Sequence, residues 1–85
     1  MDQMPKPVMS GAVRPQMVEV EAFDDAATGA VFREWRESLG VTLSKCAESM
    51  GYTPPYLSDL ERGRRPWSER LVAEYEAAIA KHREG

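Results

Sequence analysis

The 85-residue sequence predicts an all-α protein, a compact bundle of four helices preceded by an extended N-terminal arm. From about Ala26 onward, apolar residues recur at helical spacing, which is typical of helices with one buried face. Glycines interrupt this pattern at positions 40, 51 and 63, where helices of ordinary length would end. The first 16 residues lack the pattern and contain three of the six prolines, which favours an extended arm.

The arm is assigned to residues 1–24, and its last part has two interpretations. Apolar and acidic residues alternate over residues 17–23, and a period of two is typical of a short strand. A single strand in a helical chain has no partner within its own fold. The segment is therefore either irregular or paired with the same segment of a second copy.

The first and fourth predicted helices supply most of the core. In the first helix, Phe32 and Trp35 stand on one apolar stripe, and Gly40 ends the helix. The fourth helix is expected to begin at about Ser68, and its inward-facing residues are Leu71, Val72, Tyr75 and Ile79. Trp67 is expected in the core as well. Glu74–Glu76 are interpreted as a solvated face, and His82 is expected to have no role.

Two short helices lie between these, separated by only three residues, and so short a link forces them to cross steeply. Thr42 is the expected N-cap of the second helix, and Gly51 supplies its left-handed end. The third helix follows Thr53. The Thr53 hydroxyl must accept the N–H of Tyr56, because the two intervening prolines have no N–H groups. Residues before proline avoid helical angles, so the sequence leaves open whether this helix starts at position 54 or 55.

The composition argues against several functional classes. The one cysteine, Cys46, excludes an intramolecular disulfide and a cysteine-rich zinc site, and it is expected to be a small buried apolar residue. It cannot pair with the one histidine as nucleophile and base, and no glycine-rich phosphate loop is present. No apolar run approaches the ~20 residues that span a bilayer, and the N-terminus does not resemble a signal peptide. We expect a cytoplasmic protein without catalytic activity, metal or cofactor.

Charge is unevenly distributed along the chain. Residues 1–28 carry the entire net charge of −3, whereas residues 29–85 are neutral. Within the neutral part, three arginines fall within four positions, at Arg62, Arg64 and Arg65. Phosphate contacts are short-ranged at physiological salt, so such a local cluster keeps nucleic-acid binding open despite the low overall pI of 5.1.

The run LGVTLSKCAESMGYTPPYLSDLERGRR resembles the helix-turn-helix of the lambda-repressor-like, or XRE, family of transcriptional regulators. The matching elements are Leu39-Gly40, Thr42, Ala47, Gly51, Tyr56-Leu57-Ser58 and Glu61-Arg62-Gly63. The resemblance covers about residues 28–80. It implies a bundle of four or five helices, with residues 25–85 forming a DNA-binding domain.

The family resemblance also implies roles for individual residues, with the helix over residues 54–62 in the major groove. The expected base contacts are Pro54, Pro55, Ser58 and Asp59. The expected phosphate contacts are Lys45, Thr53, Tyr56, Arg62, Arg64 and Arg65. The prolines offer only apolar contact, best suited to thymine methyls, and Asp59 suits the amine of cytosine. Arg36 and Glu61 match positions that form a structural ion pair between the first and third helices.

Some of these residues have simpler interpretations. Asp59 could pair with Arg62 three positions later, and Arg64 and Arg65 could belong to a solvated turn.

The leading functional hypothesis is a repressor or autoregulator from a bacterium or phage. It would act as a homodimer on a pseudo-palindromic operator, through residues 17–23 or the fourth helix. The alternative is an antitoxin or adaptor whose acidic arm docks a basic partner such as a toxin.

Overall fold

The computed structural model describes residues 4–8 and 23–83, and this part of the chain contains four α-helices. They are α1 (Asp25–Ser38), α2 (Leu43–Met50), α3 (Pro54–Glu61) and α4 (Glu69–Arg83). The predicted all-α fold is confirmed. The predicted strand at 17–23 falls almost entirely outside the described residues and stays a prediction, as does the division into an arm and a domain at position 24.

The helices begin where local sequence signals place them. The Thr42 hydroxyl accepts the N–H of Lys45 at 3.2 Å, and the Thr53 hydroxyl accepts that of Tyr56 at 3.3 Å. Both predicted caps are therefore present. Helix α3 begins at Pro54, the earlier of the two positions that the sequence left open. The capped first turn thus tolerates two consecutive prolines, because neither position needs an N–H group there.

Helix α2 ends in a tight backbone reversal that sets its crossing with α3. Gly51 has a φ of 83°, in the left-handed region that glycine adopts without strain. The N–H of Tyr52 donates to Ala47 at 2.9 Å, and that of Gly51 donates to Glu48 at 3.1 Å. This pair of bonds is the Schellman motif, which satisfies carbonyls at the helix end. It allows α3 to start only three residues after α2 ends.

An aromatic cluster forms the centre of the core. The ring of Phe32 lies 6.1 Å from Trp35, 5.3 Å from Trp67 and 5.2 Å from Tyr75, measured between centroids. All four side chains are buried, as the sequence predicts for both tryptophans. The Trp67 indole N–H donates to the Leu60 carbonyl at 3.0 Å and so ties the segment before α4 to α3.

Helix α1 packs unusually close to the C-terminal end of α3. A Cβ atom at Gly29 would lie closer than 3.0 Å to the carbonyl oxygens of Leu60 and Glu61. A Cβ at Gly63 would similarly collide with the backbone of Ala26. The two glycines therefore permit a contact between backbones that fixes the turn after α3 against α1.

The described part of the arm is anchored on α1. The N–H of Val8 donates to the Thr28 hydroxyl at 2.9 Å, and that hydroxyl donates to the Val8 carbonyl at 3.0 Å. Thr28 is fully buried, so these bonds satisfy a polar group in the interior. Within the described ranges, no helix combines the length and apolarity that crossing a membrane requires.

Candidate nucleic-acid interface

Helix α3 has one buried face and one outer face. Leu57, Leu60 and Glu61 point into the core, with exposures of 0%, 0% and 5%. The four residues predicted to contact bases all lie away from that buried side. Pro54 and Pro55 are exposed, and Ser58 and Asp59 are partly buried. The structure therefore groups the predicted base-contacting residues on one accessible surface.

The turn that carries the three arginines, residues 62–65, is here called the basic turn, and it is attached rigidly to the end of α3. Gly63 has a φ of 78°, and its N–H donates to the Leu60 carbonyl at 3.1 Å. The N–H of Arg64 donates to the carbonyl of Asp59 at 2.8 Å. These two bonds form a second Schellman motif, which reverses the chain and sends the residues after Gly63 back along the helix.

That reversal brings two arginines to Asp59. The Arg64 Nη1 atom lies 3.8 Å from Asp59 Oδ1, and the Arg65 Nε atom lies 3.8 Å from Oδ2. Each carboxylate oxygen thus faces a different guanidinium. The alternative pairing of Asp59 with Arg62 is wrong, because the chain reversal carries Arg64 and Arg65 to the carboxylate instead.

The aromatic ring of Tyr56 packs against the guanidinium group of Arg65. The Arg65 Cζ atom lies 4.9 Å from the centre of the Tyr56 ring, within the range of a cation–π contact. The Tyr52 ring lies 4.9 Å from the Tyr56 ring, and the Tyr52 hydroxyl donates to Glu74 at 2.8 Å. A continuous line of contacts therefore runs from α4 through the helix-turn-helix to Arg65.

The position of Glu74 corrects one prediction. Glu74 was expected on a solvated helix face, but it accepts hydrogen bonds from Tyr52 and from Arg70. The hydrogen bond to Glu74, with smaller effects of burial and of the carboxylate's charge, raises the pKa of the Tyr52 hydroxyl. The sequence could not indicate this contact, because Tyr52 and Glu74 are 22 positions apart.

Arg62 lies on the other flank of α3. It lines a cleft of about 110 Å³ together with Ser58, Leu43 and Arg33. Ser58 and Tyr56 are two positions apart, which places them about 160° apart around the helix. Cationic side chains therefore border α3 on both flanks, with Arg62 beside Ser58 and Arg65 beside Tyr56. Within residues 4–8 and 23–83, Arg62 forms no ion pair.

The remaining predicted phosphate contacts lie at the N-terminal end of α3. Lys45 is exposed on α2 and lines an open groove with Thr53 and Pro54. The Thr53 hydroxyl oxygen already accepts a hydrogen bond from Tyr56, so its proton remains available to donate. The structure thus separates the predicted phosphate-contacting residues into three places around one helix.

A buried polar cluster holds the end of α3 in place. Arg36 donates to both carboxylate oxygens of Glu61, from Nε at 2.8 Å and from Nη2 at 3.0 Å. Arg36 also donates to the Val41 carbonyl at 2.8 Å, and the Tyr75 hydroxyl donates to Glu61 at 2.7 Å. The family resemblance predicts this ion pair, but the sequence does not indicate that Tyr75 also donates to Glu61.

The electrostatics of this cluster favour a charged Arg36 and a protonated Tyr75. Burial alone would lower the pKa of the Arg36 guanidinium, but the hydrogen bonds and charge of Glu61 outweigh burial and raise it. Burial, followed by the charge of Glu61, raises the pKa of the Tyr75 hydroxyl, which therefore stays protonated and donates. Arg36, Glu61 and Tyr75 come from α1, α3 and α4, so one carboxylate links three helices.

The sequence also leads to predictions for Cys46 and His82. Cys46 is fully buried, and burial raises the pKa of its thiol to about 12. The prediction of a small buried residue is therefore confirmed. The prediction that His82 has no role is wrong, because its Nε2 atom lies 2.6 Å from the Ser49 hydroxyl on α2. In the part of the chain that the structure describes, no three histidine, cysteine, aspartate or glutamate side chains are grouped as metal ligands.

Comparisons with known proteins support the helix-turn-helix fold. A family model described as "Helix-turn-helix domain" matches residues 27–78. Among solved structures, the chain is similar to the clp gene regulator ClgR from C. glutamicum, with 43% sequence identity and a TM-score of 0.64. That similarity covers 66% of this chain and 73% of the ClgR chain. No curated protein sequence matches the chain.

Proposed function

Because the chain belongs to the helix-turn-helix domain family, we propose that it regulates transcription by placing α3 in the major groove of operator DNA. The family and the similarity to a gene regulator identify it as a DNA-binding transcriptional regulator. The major groove is about 12 Å wide and admits one α-helix. Helix α3 is the candidate because its outer face is accessible and bordered by cations.

The observation that carries the docking proposal is the placement of guanidinium groups on both flanks of α3. Arg62 lies on the Ser58 side, and Arg65 lies on the Tyr56 side with Arg64 beside it. A helix in the major groove has a phosphate backbone along each flank. Cations on both flanks can therefore contact both backbones and fix the orientation of the helix.

Base contacts follow from the chemistry of the outer face. Pro54 and Pro55 offer apolar surface to thymine methyl groups. The Ser58 hydroxyl can donate or accept, and the Asp59 carboxylate accepts from the amine of cytosine. Since Asp59 is the one residue of the four that favours a particular base by hydrogen bonding, the preferred half-site is expected to combine thymines with a cytosine opposite Asp59.

Phosphate contacts are proposed for the residues around this surface. Lys45 and Thr53 lie at the N-terminal end of α3, where Thr53 retains a proton to donate. The Tyr56 hydroxyl and the three arginines of the turn complete the set. Each cation that neutralises one phosphate releases about 0.9 counterion, so binding is expected to weaken steeply with salt.

Assembly as a homodimer is part of the proposal. A single α3 contacts few base pairs, so specific binding is expected to use two copies on half-sites about 34 Å apart. Repression or autoregulation in the cytoplasm of a bacterial host is the proposed biological role. The alternative of an adaptor or antitoxin depends on the acidic arm, most of which lies outside the described residues, and no contact among residues 4–8 and 23–83 favours it.

Selection of bound duplexes from random DNA, followed by fluorescence anisotropy across a salt series, tests this function. We expect a pseudo-palindromic consensus and a linear fall of log affinity with log salt concentration. Sedimentation of the complex should give two protein chains per duplex. If no duplex is bound by micromolar protein at low salt, the proposed function is wrong.

A further inference from the structure

The carboxylate of Asp59 lies between the guanidiniums of Arg64 and Arg65, at 3.8 Å from each. From this arrangement we infer that Asp59 is a specificity-determining residue that competes with DNA phosphates for the two arginines. The inference rests on the proposed function and adds a mechanism to it. Asp59 would weaken binding to every duplex except those that offer its carboxylate a hydrogen-bond donor.

The geometry makes this competition reversible. Both ion pairs are longer than a good hydrogen bond, and the side chains of Arg64 and Arg65 are 65% and 53% exposed. Exposed ion pairs of this kind are weak, so a phosphate can displace the carboxylate without distorting the fold. Arg65 remains supported on the Tyr56 ring when it leaves Asp59, so it stays near the flank of α3.

Displacement leaves Asp59 in an unfavourable position. Its carboxylate would then lie on the outer face of α3, among phosphates and base-edge acceptors, without a cationic partner. Only the amines of cytosine and adenine present donors in the major groove. A base pair oriented with its amine toward Asp59 restores a hydrogen bond, whereas the reversed pair presents the O4 of thymine or the O6 of guanine there and leaves the charge unpaired. Discrimination therefore arises from a penalty on wrong sequences.

The chain offers a matched set of variants to test the inference. Asp59→Asn and Asp59→Ala remove the carboxylate, and Arg64→Gln with Arg65→Gln removes the cations for which it competes. Glu76→Gln, on α4, makes the same change in net charge on another helix. Affinity is measured by anisotropy for the selected duplex, for that duplex with single base pairs exchanged, and for a mixed-sequence duplex.

We expect both Asp59 variants to bind the mixed-sequence duplex about tenfold more tightly than the wild type, the effect of releasing two exposed ion pairs. Their preference for the selected duplex should fall by a similar factor. In the Arg64→Gln/Arg65→Gln background, the same Asp59 change should strengthen binding less than it does beside the arginines, since only the penalty on the unpaired carboxylate remains, and Glu76→Gln should have little effect in either background. That dependence on the arginines separates competition from simple repulsion between Asp59 and phosphate.

Three results would overturn the inference. An equal gain in affinity with and without the arginines would assign Asp59 to simple repulsion. Unchanged affinity of both Asp59 variants, with salt-dependent binding by the wild type, would reject the inference while the proposed function stands. A lack of binding by every variant to every duplex would reject the proposed function and the inference together.

Discussion

Arg36 and Glu61 form a buried bidentate ion pair that joins the last turn of α1 to the last residue of α3. The Nε–Oε2 and Nη2–Oε1 distances are 2.8 and 3.0 Å, and the two side chains are only 7% and 3% exposed. The basic turn starts at the next residue, Arg62. The ion pair therefore sets the position of the arginines relative to the rest of the molecule, as well as contributing to stability.

Replacing Glu61 with glutamine is expected to destabilise the protein by about 3 kcal/mol, because the Arg36 charge would stay buried without a partner. Urea denaturation monitored by tryptophan fluorescence measures this change. Arg33→Gln is the control, because Arg33 pairs with Glu37 at 3.1 Å on the exposed surface, whereas Glu37 itself also lies 3.9 Å from Arg36. That variant should lose less than about 1 kcal/mol. Equal losses in the two variants would show that the buried ion pair stabilises the fold no more than the exposed one does.

Stability is expected to fall as the pH rises above about 9. Burial raises the pKa of the Cys46 thiol from 9.0 to about 12, so the folded chain retains a proton that the unfolded chain releases. The contribution is fully present below pH 9 and declines through pH 12, by about 1.4 kcal/mol per pH unit. The raised pKa of Tyr75 acts in the same direction at still higher pH.

The Cys46→Ala variant tests this assignment. Its free energy of unfolding is measured between pH 8 and about 10.5. It should fall with pH less steeply than that of the wild type, and the difference in slope should correspond to about one proton. The native thiol should also react slowly with a thiol reagent until the chain unfolds. Identical slopes for wild type and variant would remove Cys46 from the account of alkaline stability.

Adding a methyl group at Gly29 is expected to destabilise the fold by about 2 kcal/mol or more. The new Cβ would collide with the backbone at the end of α3, which cannot move without disturbing the ion pair of Glu61. Gly40→Ala is the matched comparison, because Gly40 has a φ of 74° and open space around it. Only backbone strain of about 1 kcal/mol is expected there. A smaller loss at Gly29 than at Gly40 would contradict the close packing of α1 on α3.

Replacing Arg64 with alanine is expected to reduce the salt dependence of DNA binding. The slope of log affinity against log salt should flatten by about 0.9, the effect of one lost phosphate contact. The loss of affinity should be similar for all sequences. Lys81→Ala removes an exposed cation from α4 and should leave the slope unchanged. A similar flattening in both variants would place the DNA elsewhere.

Local features of the fold could be predicted from the sequence, because they depend on neighbouring residues. Thr42 and Thr53 cap helices through the N–H three positions later, and Gly51 ends α2 through its own backbone angle. The buried stripes containing Phe32 and Tyr75 follow from helical periodicity. Each of these features is encoded within a few positions.

Contacts between distant segments could not be predicted. The bond from Tyr52 to Glu74, the contact of Ser49 with His82 and the burial of Thr28 each need a tertiary packing arrangement that a single sequence does not specify. For Thr28, the only signal is a polar residue near the start of an otherwise apolar stripe. Such a residue indicates a buried hydrogen bond only once its surroundings are known.

The central claim is that the outer face of α3 and the turn after it form the DNA-binding surface. Backbone amide shifts of the protein, recorded by NMR during titration with the selected duplex, test it most directly. The claim predicts that the largest changes fall between Thr53 and Arg65, with smaller changes near Lys45. Changes concentrated on α4 or the N-terminal arm, with α3 unaffected, would contradict it.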